Sequence, residues 1–298
     1  MRVLITGGSG FVGRRLCERL AKADHSLLVV SRDPTRARRV LPAGTDVETS
    51  VLAFTDRAPE AIVNLAGESI ADRRWSDEQK RRLIDSRVNI TRDLVMLCQH
   101  LESPPAVMVS GSAMGYYGDQ GEREVAEDTP PHDEFAHRLC ESWEQAAREA
   151  EEYGVRVALI RIGLVLEQGG GTLAKMLPPF KLGLGGRFGS GRQFMPWVHR
   201  EDLVRIIEFL LERDDLRGPF NGSAPHPVTN AEFSQALARH LRRPAMLPVP
   251  AFVLKAGFGE MSRLLLTGAD MRPARLQAAG FEFRYPTLDE ALAAILRQ

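Results

Sequence analysis

The chain has 298 residues, 44% hydrophobic and 26% charged, enough to bury a large core in one main domain with an appended lobe. Its 39 Lys and Arg balance 39 Asp and Glu, so no global basic field argues for nucleic acid or a membrane as partner. Cys17, Cys98 and Cys140 lie far apart without metal-ligand spacing, so no metal is expected and buried free thiols in a reducing cytosol are. No apolar run reaches membrane-spanning length, and residues 1–13 read as a strand and turn rather than a signal peptide, so the expected compartment is the cytoplasm.

The chain opens with MRVLITGGSGFVG, an apolar strand running into a glycine turn that enters a helix at Phe11-Val12-Gly13. Gly8-x-Gly10-x-x-Gly13 fits G-x-G-x-x-G, and with Gly7 it also reads G-x-x-G-x-x-G. Such glycines permit a tight turn, let backbone N–H groups approach a pyrophosphate, and let the helix pack on its strand. Gly7, Gly8, Ser9, Gly10, Phe11, Val12 and Gly13 are therefore the candidate dinucleotide loop, because a strand precedes them and an apolar-periodic helix follows. His25–Val30 reads as a second buried parallel strand, completing a βαβ unit. Where an NAD site would carry an acid to bind the ribose, this chain has Ser31-Arg32, a hydroxyl and a guanidinium suited to a 2′-phosphate. That choice points to NADP(H); the alternative is an exposed Arg opening a basic helix.

Residues 41–60 carry little signal beyond a brief strand at Asp46-Val47-Glu48. Ala61–Gly67 is a buried strand ending at Leu65, Ala66 and Gly67, small enough to line a cofactor. Ser76 and Gln79 resemble a capping box opening a helix to about Leu101; Arg87 on it could reach a phosphate. Ala106–Val109 is the next strand, and Ser112, Tyr116 and Tyr117 follow at its carboxyl end, where open α/β sheets bind substrates. Residues 119–134, acidic and proline-containing, read as a surface loop or lid. A helix over Phe135–Tyr153, a strand over Val155–Ile160 and a turn over Arg161–Leu166 come next.

The glycine-rich stretch 169–191 reads as a substrate-side loop. Phe194–His199 reads as extended, with Trp197 and His199 as substrate-side candidates, although a structural histidine packed beside Trp197 fits equally. Thr229 with Glu232 and Thr287 with Glu290 predict two capped helices, with a third near 251–266. The predicted fold is α/β: a Rossmann-type doubly wound parallel sheet over 1–224, with a substrate-side loop at about 167–200 and a small, mainly helical capping lobe over 225–298.

TGGSGFVG, VSR, NLAG, GSAMGYYGD and PWVHREDL together resemble the extended short-chain dehydrogenase/reductase superfamily. DSRVNIT, LCESWEQAA, RIGLVLEQGGGTLAKMLPPFKLGLGG, SGRQFMPWVH and AGFEFRYPTLDEAL resemble its atypical branch, the epimerase family or family 39U, over essentially the whole chain. The resemblance implies an NADP-binding domain, a lobe closing over a substrate cleft, and cofactor contacts from Ser31, Arg32, Leu65, Ala66, Arg87 and the backbone near Leu166. It also implies that helices 76–101 and 135–153 could build the four-helix bundle of a homodimer, although their apolar faces are needed against the sheet.

Typical members carry Tyr-x-x-x-Lys, with the tyrosine as general acid/base. Aligning the family's downstream Glu with Glu144 puts Ala136 and Cys140 at those positions, and no Tyr-x-x-x-Lys occurs elsewhere. Ser112 matches the usual substrate-binding hydroxyl, and Tyr116 or Tyr117 is the substitute proton donor. The expected function is an NADP(H)-dependent oxidoreductase or epimerase-like enzyme on a small substrate; the alternative is an NADP(H)-sensing protein without turnover.

Overall fold

The computed structural model describes residues 1–245 and 247–297. Seven parallel strands form the central sheet: β1 (Arg2–Thr6), β2 (Ser26–Val30), β3 (Asp46–Glu48), β4 (Ala61–Asn64), β5 (Val107–Ala113), β6 (Arg156–Ile162) and β7 (Gly218–Gly222). They lie side by side in the order β7-β6-β5-β4-β1-β2-β3. Parallel strands covered on both faces read as continuous apolar runs, and alternate residues supply the two cores. Val3 and Ile5 of β1 pack toward α1 (Phe11–Lys22), while Leu4 packs on the opposite face with Ile62, Met108 and Leu159.

The remaining long helices are α2 (Asp77–His100), α3 (Phe135–Arg148), α4 (Gly171–Lys181), α5 (Arg200–Glu212), α6 (Asn230–Leu241), α7 (Ala251–Phe258) and α8 (Leu288–Leu296). Leu203, Ile206, Ile207 and Leu210 of α5 join the α1 side of the sheet, and Leu94, Val95 and Leu97 of α2 join the other. Strand order reverses between β1 and β4, which opens a crevice at their carboxyl ends, the customary place for a ligand in a doubly wound sheet.

Several boundaries differ from those expected. β6 continues through Arg161 to Ile162, so Arg161 lies inside a buried strand rather than in a turn. Leu164–Leu166 is then a separate strand paired in parallel with Trp197–His199. β7, with only Phe220 as a large apolar residue in GPFNG, has almost no sequence signal and forms because β6 offers it an edge.

The stretch 169–191 is not simply a loop: TLAKMLPPFK buries Leu173, Met176, Leu177 and Phe180 and forms most of α4, despite the flanking glycines and Pro178-Pro179. Those four side chains share a core with Trp197, Phe233, Leu237, Leu288 and Leu292. The lobe's core is thus built from residues 164–197 as well as from the chain after 225. Leu276 and Phe281 run the other way and pack into the sheet's core beside α5.

Candidate functional site

Gly7 adopts a positive φ of 71°, and a Cβ there would stand 2.7 Å from the Leu65 carbonyl carbon, so the turn rests directly on the end of β4. A Cβ on Gly13 would lie 2.2 Å from the Gly7 oxygen, which is why α1 can begin only with glycine at that place. The Gly10 N–H donates to the Gly7 carbonyl at 2.9 Å, closing the turn. Gly10 is the N-cap of α1 and supplies no side-chain cap, and no acid occupies the first turn. The positive end of the helix is therefore left for an anion that comes from outside the chain.

Phe11 stands at the mouth of this turn. Its ring lies under Arg200, whose guanidinium carbon is 4.9 Å from the ring centroid, and against Gly170, where a Cβ would clash at 2.3 Å. Residues 170–171 thus fold over the glycine turn. Leu166 is fully buried four residues before them, paired in register with His199.

At the end of β2, the Ser31 hydroxyl bonds within its own turn to the backbone of Asp33. Asp33 caps the short helix Pro34–Arg38 by accepting from the Arg36 N–H at 2.9 Å, and its carboxylate is spent there. Arg32 is exposed and enters no ion pair among the described residues.

The floor of the crevice is a buried polar network. Thr6 donates to Asn64 Oδ1 at 2.7 Å, and Asn64 Nδ2 donates to Thr91 and Ser110 at 2.8 and 3.1 Å. The Ala66 N–H donates back to Thr6 Oγ1, and the Leu65 N–H to the Thr6 carbonyl. These bonds tie β1, β4, β5 and α2 at one point and hold Leu65, Ala66 and Gly67 in place.

Arg87 reaches this loop from α2. Its Nη2 donates to the Glu68 carbonyl at 2.8 Å, and a Cβ on Gly67 would strike its guanidinium at 2.9 Å. The group is buried, stacks 5.3 Å from the Trp143 ring centroid, and leaves Nε without a partner. Burial holds its pKa below the ordinary arginine value, with no carboxylate bonded to it among the described residues to compensate.

Beyond Gly67 the crevice meets β5 and α3. Ser112 donates to Glu144 Oε1 at 2.8 Å. Glu144 is gripped by Arg161, Nε to Oε1 at 2.9 Å and Nη2 to Oε2 at 3.1 Å, with both side chains buried. Arg161 also donates through Nη1 to the Tyr117 hydroxyl at 3.0 Å and to the Glu127 carbonyl at 2.9 Å. Tyr117 donates to Asn221 Oδ1 at 2.6 Å and is 0% exposed. Burial pushes its phenol up to about 12, against the pull of Arg161. For Arg161, burial alone would lower the pKa, but the Glu144 carboxylate more than offsets it and raises it. The Arg161 guanidinium carbon also sits 3.3 Å from the Tyr116 ring centroid. Tyr116 is half-buried.

The sequence profile described as the NAD dependent epimerase/dehydratase family matches residues 3–221, nearly three quarters of the chain. The chain belongs to this family. A domain of unknown function, DUF1731, matches residues 249–295 of the lobe. Within the family the chain is 40% identical to the Arabidopsis thaliana chloroplastic SDR39U1 homologue, over 100% of this chain and 87% of that one. It is 39% identical to the Homo sapiens epimerase family protein SDR39U1, over 99% of this chain and 100% of that one. The crystal structure of human SDR39U1 with NADPH superposes with a TM-score of 0.91, at 36% identity and covering 100% and 99% of the two chains. A Thermus thermophilus UDP-glucose 4-epimerase with NAD, at 20% identity, 100% and 98% coverage and a TM-score of 0.77, shares the fold.

Within this epimerase-family fold, Ala136 and Cys140 are buried on α3, where a Cβ on Gly115 would touch both side chains, at 3.1 and 3.7 Å. The Cys140 thiol is pushed up to about 12 by burial. Three expectations need correction. Tyr117 does not present a hydroxyl to the cleft, because that hydroxyl is enclosed between Arg161 and Asn221. Trp197 is wholly buried, its Nε1 donating to the His226 carbonyl, and is part of the lobe's core rather than the substrate side. His199 is likewise interior: its Nδ1 accepts from the Glu201 N–H to cap α5, and its ring stacks on Tyr285 at 4.0 Å. What sequence reasoning missed is the partnership of Glu144, Arg161, Glu127 and Asn221. The available signal was Arg161 itself, one charge in the otherwise apolar run VALIRI, which a buried strand tolerates only with a partner.

Proposed function

We propose that this chain binds NADP(H) and acts as an NADP(H)-dependent oxidoreductase or epimerase-like enzyme on a small substrate. The observation that carries the cofactor choice is the end of β2, where an exposed Arg32 that enters no ion pair among the described residues stands beyond the glycine turn and the nearby acid, Asp33, is committed to a helix cap. The cradle fits the dinucleotide: the open N-terminus of α1 receives the pyrophosphate, Ser31 and Arg32 the 2′-phosphate, and Leu65, Ala66 and Gly67 the face opposite. Arg87 and the backbone beyond Leu166 complete the set. The human relative crystallised with NADPH supports the same reading. When bound, the cofactor supplies or accepts a hydride.

The chain's own part in such a reaction falls to Tyr116 and Ser112. Tyr116 is the one of the three candidate hydroxyl residues that is only half-buried, and Arg161 holds its ring. Ser112 gives its proton to Glu144, so toward a substrate its oxygen acts as an acceptor. A second reading, NADP(H) sensing without turnover, draws on the burial of Ser112, Tyr117, Ala136 and Cys140 together.

Titration with NADPH and NADH tests the first step. Arg32→Ala is expected to weaken NADPH at least tenfold, one charge-assisted phosphate contact being worth about 1.5–3 kcal/mol, with NADH little changed. Equal losses would refute the 2′-phosphate role. NADPH oxidation across a carbonyl library tests the second. Turnover that falls about 10²-fold or more in Tyr116→Phe supports the acid role; binding with no turnover favours the sensor.

A further inference from the structure

The zero net charge conceals a one-sided distribution. No Asp or Glu occurs between residues 168 and 200 or between 233 and 259, although both stretches carry Lys and Arg. Lys175, Arg192, Arg200 and Arg239 find carboxylates elsewhere in the chain. Lys181, Arg187, Arg242, Arg243 and Lys255 are all exposed and form no ion pair among the described residues.

The same two stretches hold much of the exposed apolar surface: Leu182 (74% exposed), Phe252 (73%), Leu184, Leu247, Val253 and Phe258. They are neighbours in space. The Arg187 carbonyl accepts from the Val249 N–H and the Gly189 N–H donates to the Val249 carbonyl, both at 2.9 Å. A Cβ on Gly183 would touch the Pro244 ring at 3.6 Å, and one on Gly186 would overlap the Leu247 carbonyl. α7 buries one side chain, Leu254, and receives a hydrogen bond from Arg74 at the Ala256 carbonyl, while Phe252, Val253 and Phe258 stay exposed beside Lys255.

We propose that this face of the lobe, centred on α7 and residues 181–187, docks on the surface of an anionic lipid bilayer. Exposed Phe and Leu side chains interspersed with Lys and Arg that form no ion pair among the described residues match the interface of a bilayer: apolar tips enter the acyl boundary while the cations meet anionic headgroups. Charge complementarity decides the occupant. A second copy of the chain would bring the same unpaired cations against themselves, and like charges across an interface repel. Peripheral attachment also suits a chain in which no helix among the described residues is long and apolar enough to cross a membrane. Net charge alone excluded a membrane partner; the distribution of that charge reverses the inference locally.

Cosedimentation with vesicles tests this, using phosphatidylcholine alone and phosphatidylcholine with phosphatidylglycerol at low salt. Binding is expected to the anionic vesicles only, and to fall as salt rises. Arg243→Glu with Lys255→Glu should weaken it about tenfold or more, each basic residue near an anionic surface being worth about a fivefold change. Phe252→Ser with Leu182→Ser, which leaves the charge of the face unchanged, should abolish it. Both pairs are exposed, and unchanged NADPH titrations and melting temperatures would show that the fold is kept. The proposal fails if wild type does not bind anionic vesicles. It fails equally if the Phe252 and Leu182 variant binds as wild type, which would mean adsorption by charge without insertion, or if both vesicle types bind alike.

Discussion

Arg161 shows how one residue organises the interior. It lies near the carboxyl end of β6 with a bidentate grip on Glu144, a bond to Tyr117 and its face on Tyr116, so three polar side chains depend on one guanidinium. Removing one partner of a buried pair strands the other, at a cost of about 3–5 kcal/mol, whereas replacing both can be nearly neutral. Arg161→Met is therefore expected to lower stability by about that much in denaturant titration. Arg161→Met combined with Glu144→Leu should recover most of it. A double variant no more stable than the single one would contradict the pairing. Because Ser112 donates into the same carboxylate, its orientation in the cleft is a property of this network and not of Ser112 itself.

At the scale of elements, the strand, turn and helix of residues 2–22 form a unit whose glycines are required by contact. Gly13→Ala puts a Cβ 2.2 Å from the Gly7 oxygen, so α1 must shift off the turn. NADPH affinity is expected to fall more than tenfold, with a lower melting temperature. Gly257 makes the control: it lies within α7, nothing stands within 4 Å of its would-be Cβ, and Gly257→Ala should be neutral or stabilising by roughly 0.5–1 kcal/mol. If both variants behave alike, close packing is not what the Gly13 position demands.

The element boundaries that were legible in sequence are those written in local chemistry. Thr229 with Glu232 and Thr287 with Glu290 both form reciprocal capping boxes. Ser76 does half as much, capping Gln79 while the Gln79 side chain turns to Glu68. α4 and β7 were not legible. α4 hides its apolar face among glycines and prolines, and β7 exists only because an edge was free.

At the scale of the molecule, His199 joins the sheet's helix layer to the C-terminal segment. It caps α5 and stacks on Tyr285, while Asp202 accepts the backbone N–H groups of Arg284 and Tyr285 at 2.8 Å each. Burial keeps the His199 imidazole below its ordinary 6.5, and the cap needs the neutral ring. The unfolded chain thus binds a proton that the native state refuses, so stability is full above about pH 6.5 and falls as pH drops below it. The melting temperature should decline between pH 7.5 and 5.5, and His199→Asn, which keeps a capping acceptor, should flatten that decline. Equal slopes would place the titrating group elsewhere.

What the sequence by itself determined is whatever rests on neighbours along the chain: the glycine turn, the alternation of apolar strands with helices, the capped helices, and Ser31-Arg32 where an acid would serve NAD. Tertiary structure alone decided which of the candidate polar residues are enclosed and which stay partly exposed. Tyr116 and Tyr117 are adjacent in sequence, yet one lies half-buried on Arg161 and the other is enclosed by Arg161 and Asn221. Their difference is set by β6 and β7, which bring Arg161 and Asn221 from 44 and 104 residues away. Burying a charge or a phenol is tolerable only where such distant partners meet it, and spacing along the chain does not encode them.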